Sequence, residues 1–135
     1  MAHLLVLRFY EELWNKQQFS VASEILHSDI TFRSSTGSKH HGINQVCDYV
    51  VMVTTALEGY TCTIQRCIST IDEAAAVVEF KGKHVGEFLN YAPTGKTISW
   101  LGAAFFSIQQ NKISEIWVLS DLHDLHQQLS SKNDS

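Results

Sequence analysis

Two rhythms divide the chain. As far as Leu57, apolar side chains recur at three- and four-residue steps; beyond Gly59 they recur at every second position. The first rhythm predicts a helix over residues 3–16, with Leu4, Leu7, Tyr10 or Leu13, and Trp14 on its apolar face. Asn15-Lys16-Gln17-Gln18 breaks it, and Ser20 is placed to cap a short helix carrying Ala22, Ile25 and Leu26. Ile30-Thr31-Phe32 reads as a short strand and Ser34 to Gly42 as a loop. Ile43 to Leu57 reads as a helix with a stripe of Ile43, Val46, Val50, Val53 and Leu57. The second rhythm predicts strands. Tyr60, Cys62, Ile64 and Ile68 alternate with polar residues. After a turn at Asp72-Glu73, residues Ala74, Ala76, Val78, Phe80, Gly82 and His84 share a face. Ile98, Trp100, Gly102, Ala104, Phe106 and Ile108 share the next, and Gln110-Asn111-Lys112 turns into a strand from Ile113 to Ser120. Leu122 to Leu129 reads as a last helical turn or two.

Helices followed by a long antiparallel meander define an α+β fold, not a parallel βαβ sheet. A curved sheet with helices over its concave face encloses a pocket, and the inward faces are apolar apart from His84. The expected organisation is a single domain over residues 1–130 with a polar tail at 131–135.

Composition narrows the function classes. Of 135 residues, 44% are hydrophobic and 18% charged, which suits one globular core. Ten basic against 14 acidic side chains, with no Lys/Arg run, exclude nucleic acid and anionic membranes as partners. Cys47, Cys62 and Cys67 show no C-x-x-C spacing, so a reduced compartment is expected and a structural zinc is not. The apolar run Leu4-Leu5-Val6-Leu7 is too short for a signal core or a spanning helix, so a cytoplasmic location is expected.

The candidate chemistry is sparse. Asp121 ends a strand and precedes a helical turn, so it is either a helix N-cap or a carboxylate at the wall of the apolar cavity. In the second case lost hydration would raise its pKa and make it a proton carrier near neutral pH. His84 is either a satisfied core histidine or a donor to a substrate carbonyl. Trp14, Phe32, Trp100 and Trp117 are expected to pack the core or line a pocket for a flat hydrophobic molecule. Arg66 interrupts an apolar face, and a salt bridge is its expected use. His40-His41 and His123/His126 have no third ligand in evidence, so no metal site is expected. Val77, Leu101, Ala103 and Phe105 make the second sheet face apolar, which points to a homodimer.

A resemblance is carried by four segments in order. His84-Val85-Gly86-Glu87-Phe88-Leu89-Asn90-Tyr91-Ala92-Pro93-Thr94-Gly95-Lys96 resembles the H-x-G-x-x-x-G-x-x-P-T-G-[KR] stretch of SnoaL-like polyketide cyclases, members of the nuclear-transport-factor-2-like superfamily. Phe9-Tyr10-Glu11-Glu12-Leu13-Trp14-Asn15 resembles their opening helix. Asn111 to Trp117 resembles their D-G-K-I-x-E-x-W turn and strand, and Asp121 with Leu125 and Gln128-Leu129 their closing D-x-x-G-L-x-x-Q-L. The resemblance implies a cone-shaped barrel and cofactor-free cyclase or isomerase chemistry on a polyketide- or terpenoid-like ketone or ester. It implies Asp121 as acid/base and His84 as its assistant. Ala104 stands where the aromatic cyclases carry a second histidine, which keeps a non-catalytic binding or dimeric interaction module open as the alternative.

Overall fold

The computed structural model describes residues 2–131; Met1 and most of the expected polar tail, residues 132–135, lie outside the described residues. The first helix, α1 (Ala2–Arg8), runs without a break into a π-helical segment, Phe9–Asn15. The buried face keeps three- and four-residue steps through both segments. It consists of Val6, Phe9, Tyr10, Leu13 and Trp14, while Leu4, expected inside, is exposed. Asn15 ends the segment by clamping a strand: its amide donates to the Cys62 carbonyl at 2.9 Å and its Oδ1 accepts from the Cys62 N–H at 2.7 Å.

Ser20 does not cap a helix. It lies inside a 3₁₀ turn, Phe19–Val21, ahead of the single turn α2 (Ala22–Ile25), and its carbonyl accepts from Ser23 Oγ at 3.3 Å. The strand β1 (Leu26–Arg33) is longer than its apolar triplet, and the expected loop contains β2 (Lys39–His41), paired with it through Thr31 and His41. Gly42, at φ +85°, turns the chain into α3 (Ile43–Ala56), whose buried stripe includes Val46, Val50 and Val53. Leu57 opens β3 (Leu57–Ser69) instead of closing the helix. Then follow β4 (Glu73–His84), β5 (Thr97–Gln109), β6 (Lys112–Ser120) and α4 (Leu122–Ser130).

The sheet order is β2-β1-β6-β5-β4-β3; β1 runs parallel to β6 and every other pair is antiparallel. It is a mixed, curved sheet that does not close, with the helices inside the curve, as the α+β reading requires. The buried apolar side chains form one contiguous core.

β4 follows the expected alternation throughout: Ala74, Ala76, Val78, Phe80, Gly82 and His84 are all buried. β6 does not. Ile108 pairs with Ile113 but Ser107 pairs with Glu115, leaving Ser114 as a surplus residue. Such a bulge exchanges the two faces of everything beyond it. Ile116 and Val118 point inward, while Trp117 and Leu119 point out.

Candidate functional site

Where the inner sheet face meets the helices, aromatic rings converge. Tyr10, Trp14, Phe32, Tyr49, Tyr60 and Phe80 surround an internal cavity of ≈ 10 Å³. That is space for about one water molecule. The pocket expected from the curved sheet is thus filled by side chains. Trp14 lies 5.4 Å from Tyr60, Tyr60 lies 6.4 Å from Trp100, and Trp100 lies 5.4 Å from Phe80 and 6.0 Å from Phe88, between ring centroids.

The interior is apolar in its carbon but not in its heteroatoms. Tyr10 Oη, Trp14 Nε1, His84 Nε2, Trp100 Nε1 and Ser120 Oγ are buried without a hydrogen-bond partner among the described residues. Each such group costs about 1–3 kcal/mol unless something satisfies it, and buried polar groups are satisfied as a rule. Tyr10 and Trp14 border the cavity, and Ser120 lies near Phe80 across Gly102.

His84 is fully buried at the end of β4. Its Nδ1 accepts the Thr94 N–H at 3.2 Å and lies 3.0 Å from Thr94 Oγ1. An Nδ1 that accepts an amide carries no hydrogen, so in the neutral ring the proton resides on Nε2. His84 therefore presents an N–H that no described residue receives. Backbone bonds hold this end of the strand against the return of the loop: His84 N–H to the Lys96 carbonyl at 2.8 Å, and Gly95 N–H to the His84 carbonyl at 2.9 Å. Lys96 Nζ then donates to the Gln128 carbonyl at 3.0 Å, tying the loop to α4.

Asp121 is not in this interior. The β6 bulge turns it to the outer face; it is exposed, and its Oδ1 accepts the Asp124 N–H at 3.1 Å as the N-cap of α4. Its amide donates to the carbonyl of Leu101, which is opposite Glu79, five positions before His84 on β4. At about 3.3 Å per strand residue that is roughly 17 Å along the sheet, so the two do not form a pair.

Trp117 is likewise outside: it is 41% exposed, with the Arg33 guanidinium carbon 5.2 Å from its ring centroid. Trp14 and Phe32 do line the cavity, and Trp100 is stacked behind Tyr60 and Phe80. Arg66 is exposed beside Val77, and the ion pairs among the described residues are those of Arg8 with Glu12 and Glu24. Of the four histidines weighed as metal ligands, His126 meets the Tyr91 hydroxyl at 3.1 Å and His40 meets Ser38 Oγ at 2.8 Å. Among the described residues no three His, Cys, Asp or Glu side chains converge as a metal would need. No described helix is long and apolar enough to cross a membrane.

The residues that sequence reasoning missed are Tyr49, Tyr60 and Ser120. The inward phase of Tyr60 was legible, but its place beside a cavity depends on the distant Trp14. Tyr49 is held by its hydroxyl, 2.8 Å from Thr36 Oγ1, a contact with a loop that no periodicity signals.

The folded shape is widely shared. TsrD from Streptomyces laurentii superposes with a TM-score of 0.86 at 21% identity, covering 97% of this chain and 96% of that one. A protein from Jannaschia sp. CCS1 assigned as a SnoaL-like polyketide cyclase gives 0.85 at 18% identity, covering 96% and 91%. IdmH from Streptomyces antibioticus, assigned as a polyketide cyclase, gives 0.79 at 20% identity, covering 94% and 96%. At such identities these are likenesses of fold. No curated protein matches the sequence. The sequence model of the SnoaL-like polyketide cyclases matches residues 4–129, almost the entire described fold with its opening and closing helices, and the chain belongs to that family.

Proposed function

We propose that this domain holds a compact hydrophobic molecule bearing ketone or ester oxygens inside the barrel, and that His84 acts on one such oxygen as an N–H donor. The observation that carries this reading is the set of unpaired buried heteroatoms. Two are indole N–H groups, which only donate, and His84 Nε2 is a donor by its tautomer. Tyr10 and Ser120 hydroxyls can serve as donors too. Such an interior is complementary to a ligand of acceptors on an apolar body. A neutral N–H aimed at a carbonyl in a water-poor site would stabilise an enolate or alkoxide as it forms. This suits the carbonyl chemistry of the family. The position of Asp121, exposed and engaged as a cap, lends no support to an acid/base role for it.

A titration with 2-acetylnaphthalene against 2-ethylnaphthalene tests the reading. The ketone should bind more tightly, and removal of the buried donor that it engages, tested one at a time as His84→Phe, Tyr10→Phe and Trp14→Phe, should weaken it by about fivefold, the worth of one hydrogen bond. Equal binding of the two probes would remove the carbonyl from the proposal.

The outer sheet face supports a homodimer as part of the same proposal. Across the strands, Ala75 pairs with Phe105 and Phe105 with Trp117; Val77 pairs with Ala103 and Ala103 with Leu119. Phe105 and Leu119 are 52% and 53% exposed, a contiguous apolar surface suited to a second copy.

A further inference from the structure

The internal cavity is too small for any ligand larger than water, yet two of its unpaired donors lie away from it, against one ring. Phe88 is 2% exposed. Its centroid is 6.5 Å from that of His84 and 6.0 Å from that of Trp100, whose Nε2 and Nε1 both lack a partner. We infer that the space held by the Phe88 ring is a ligand subsite for a ketone oxygen, with His84 Nε2–H and Trp100 Nε1–H as its donors, and that residues 87–93 withdraw Phe88 to open it. This rests on the interior-binding reading above and names where the carbonyl sits.

The loop is built to move as a unit. Its near end is fixed: Val85 and Gly86 N–H both donate to the Ala56 carbonyl, and a Cβ on Gly86 would come within 3.1 Å of Ala56 Cα. Its far end is Gly95, at φ +74°. Between them, the backbones of Phe88 and Tyr91 bond each other, N–H to carbonyl at 3.1 and 2.9 Å. The turn joining them places Leu89 at φ +51° and Asn90 at φ +67°. A leucine rarely adopts that conformation, so the turn carries backbone strain. Among the described residues, no backbone hydrogen bond from residues 87–93 reaches another element. Their other attachments include the buried Phe88 ring, the half-buried Leu89 and Tyr91 side chains packed on the core, and the Tyr91 hydroxyl on His126.

The experiment measures 2-acetylnaphthalene and 2-ethylnaphthalene binding by calorimetry to the parent chain, Phe88→Ala and Phe88→Leu. Pre-opening the subsite removes the population penalty, so the ketone should bind the variants about tenfold tighter than the parent. In the Phe88→Ala background, His84→Phe or Trp100→Phe should lower ketone affinity by about fivefold each while leaving 2-ethylnaphthalene unchanged. A cavity that is merely greasy would favour both probes alike, and that result overturns the subsite. In the unsubstituted protein the ketone should shift the Trp100 indole N–H resonance; a resonance that stays in place at saturation overturns it as well, whether or not the variants fold. Ketone binding that Tyr10→Phe weakens but both Phe88 variants leave alone would overturn the subsite and spare the interior reading. Absence of ketone binding in every chain would remove both.

Discussion

Ile113 and Ile116 face the same core although they lie three positions apart on one strand. Unbroken alternation from Ile113 would have turned Glu115, Trp117, Leu119 and Asp121 inward. The surplus Ser114, whose hydroxyl donates to the Ser107 carbonyl at 3.1 Å, exchanges the faces. Val118 and Ser120 gain the interior, and the carboxylate that the family resemblance places in the site caps a helix at the surface.

That placement separates two roles of Asp121 by substitution. Asn caps a helix about as well as Asp, so Asp121→Asn should leave thermal stability nearly unchanged, whereas Asp121→Ala should cost about 1 kcal/mol. Thermal denaturation reads both. Ketone binding should be equal in all three chains. Weakened binding in a folded Asp121→Asn would restore this carboxylate to the site.

Gly102 marks the tightest point of the inner face. A Cβ there would fall 2.7 Å from Phe80 Cε2 and 2.7 Å from Ser120 Oγ. Both neighbours are packed, and overfilling such a core costs about 1–3 kcal/mol. Gly102→Ala should lower the urea midpoint accordingly. An unaltered midpoint would mean that Phe80 is free to yield, and that the interior is looser than its ≈ 10 Å³ cavity implies.

The outer face makes a separate prediction. Phe105→Glu or Leu119→Lys places a charge in the middle of the apolar rows that pair Phe105 with Trp117 and Ala103 with Leu119. Burying either charge against a second copy would leave it unpaired, so each variant should be monomeric by light scattering while its circular dichroism matches the parent. A parent chain that is itself monomeric at micromolar concentration would dispose of the dimer.

What the sequence revealed follows the regularity of each element. β4 has no bulge from Ala74 to His84 on its β5 side, so alternation alone identified every buried position, His84 included. Leu4 was misplaced because the buried stripe, although it keeps the helical period, runs through Ala2, Val6 and Phe9 and so leaves Leu4 off its face. Trp117 and the inward reading of Asp121 failed because the strand holds one extra residue. β2 was hidden because Lys39-His40-His41 has no apolar alternation; its pairing to β1 is written in backbone bonds. The unpaired donors could not be read at all. Trp14 and Trp100 were recognisable as aromatic walls, but whether an indole N–H finds a partner depends on neighbours far away in sequence.

The same buried groups set the response to alkali. Tyr10, Tyr60 and Cys62 have ordinary values of 10.0, 10.0 and 9.0, and burial away from water pushes all three upward, because it penalises the charged form. The unfolded chain therefore loses these protons first as pH rises, and the native state keeps them. With fewer protons bound in the unfolded state, unfolding free energy falls with pH, by at most about 1.4 kcal/mol per pH unit for each group. Below about pH 8 both states are protonated and these groups add no slope. Urea midpoints should thus be level in their contribution near neutrality and decline from about pH 9 upward. Cys62→Val should make the decline near pH 9 shallower without abolishing it, since Cys47 and Cys67, whose thiols burial also pushes upward, still ionise there on unfolding, and should leave the tyrosine range unchanged. A stability that climbed between about pH 9 and 11 would contradict the burial of all three and, with it, the closed aromatic interior on which the binding reading depends.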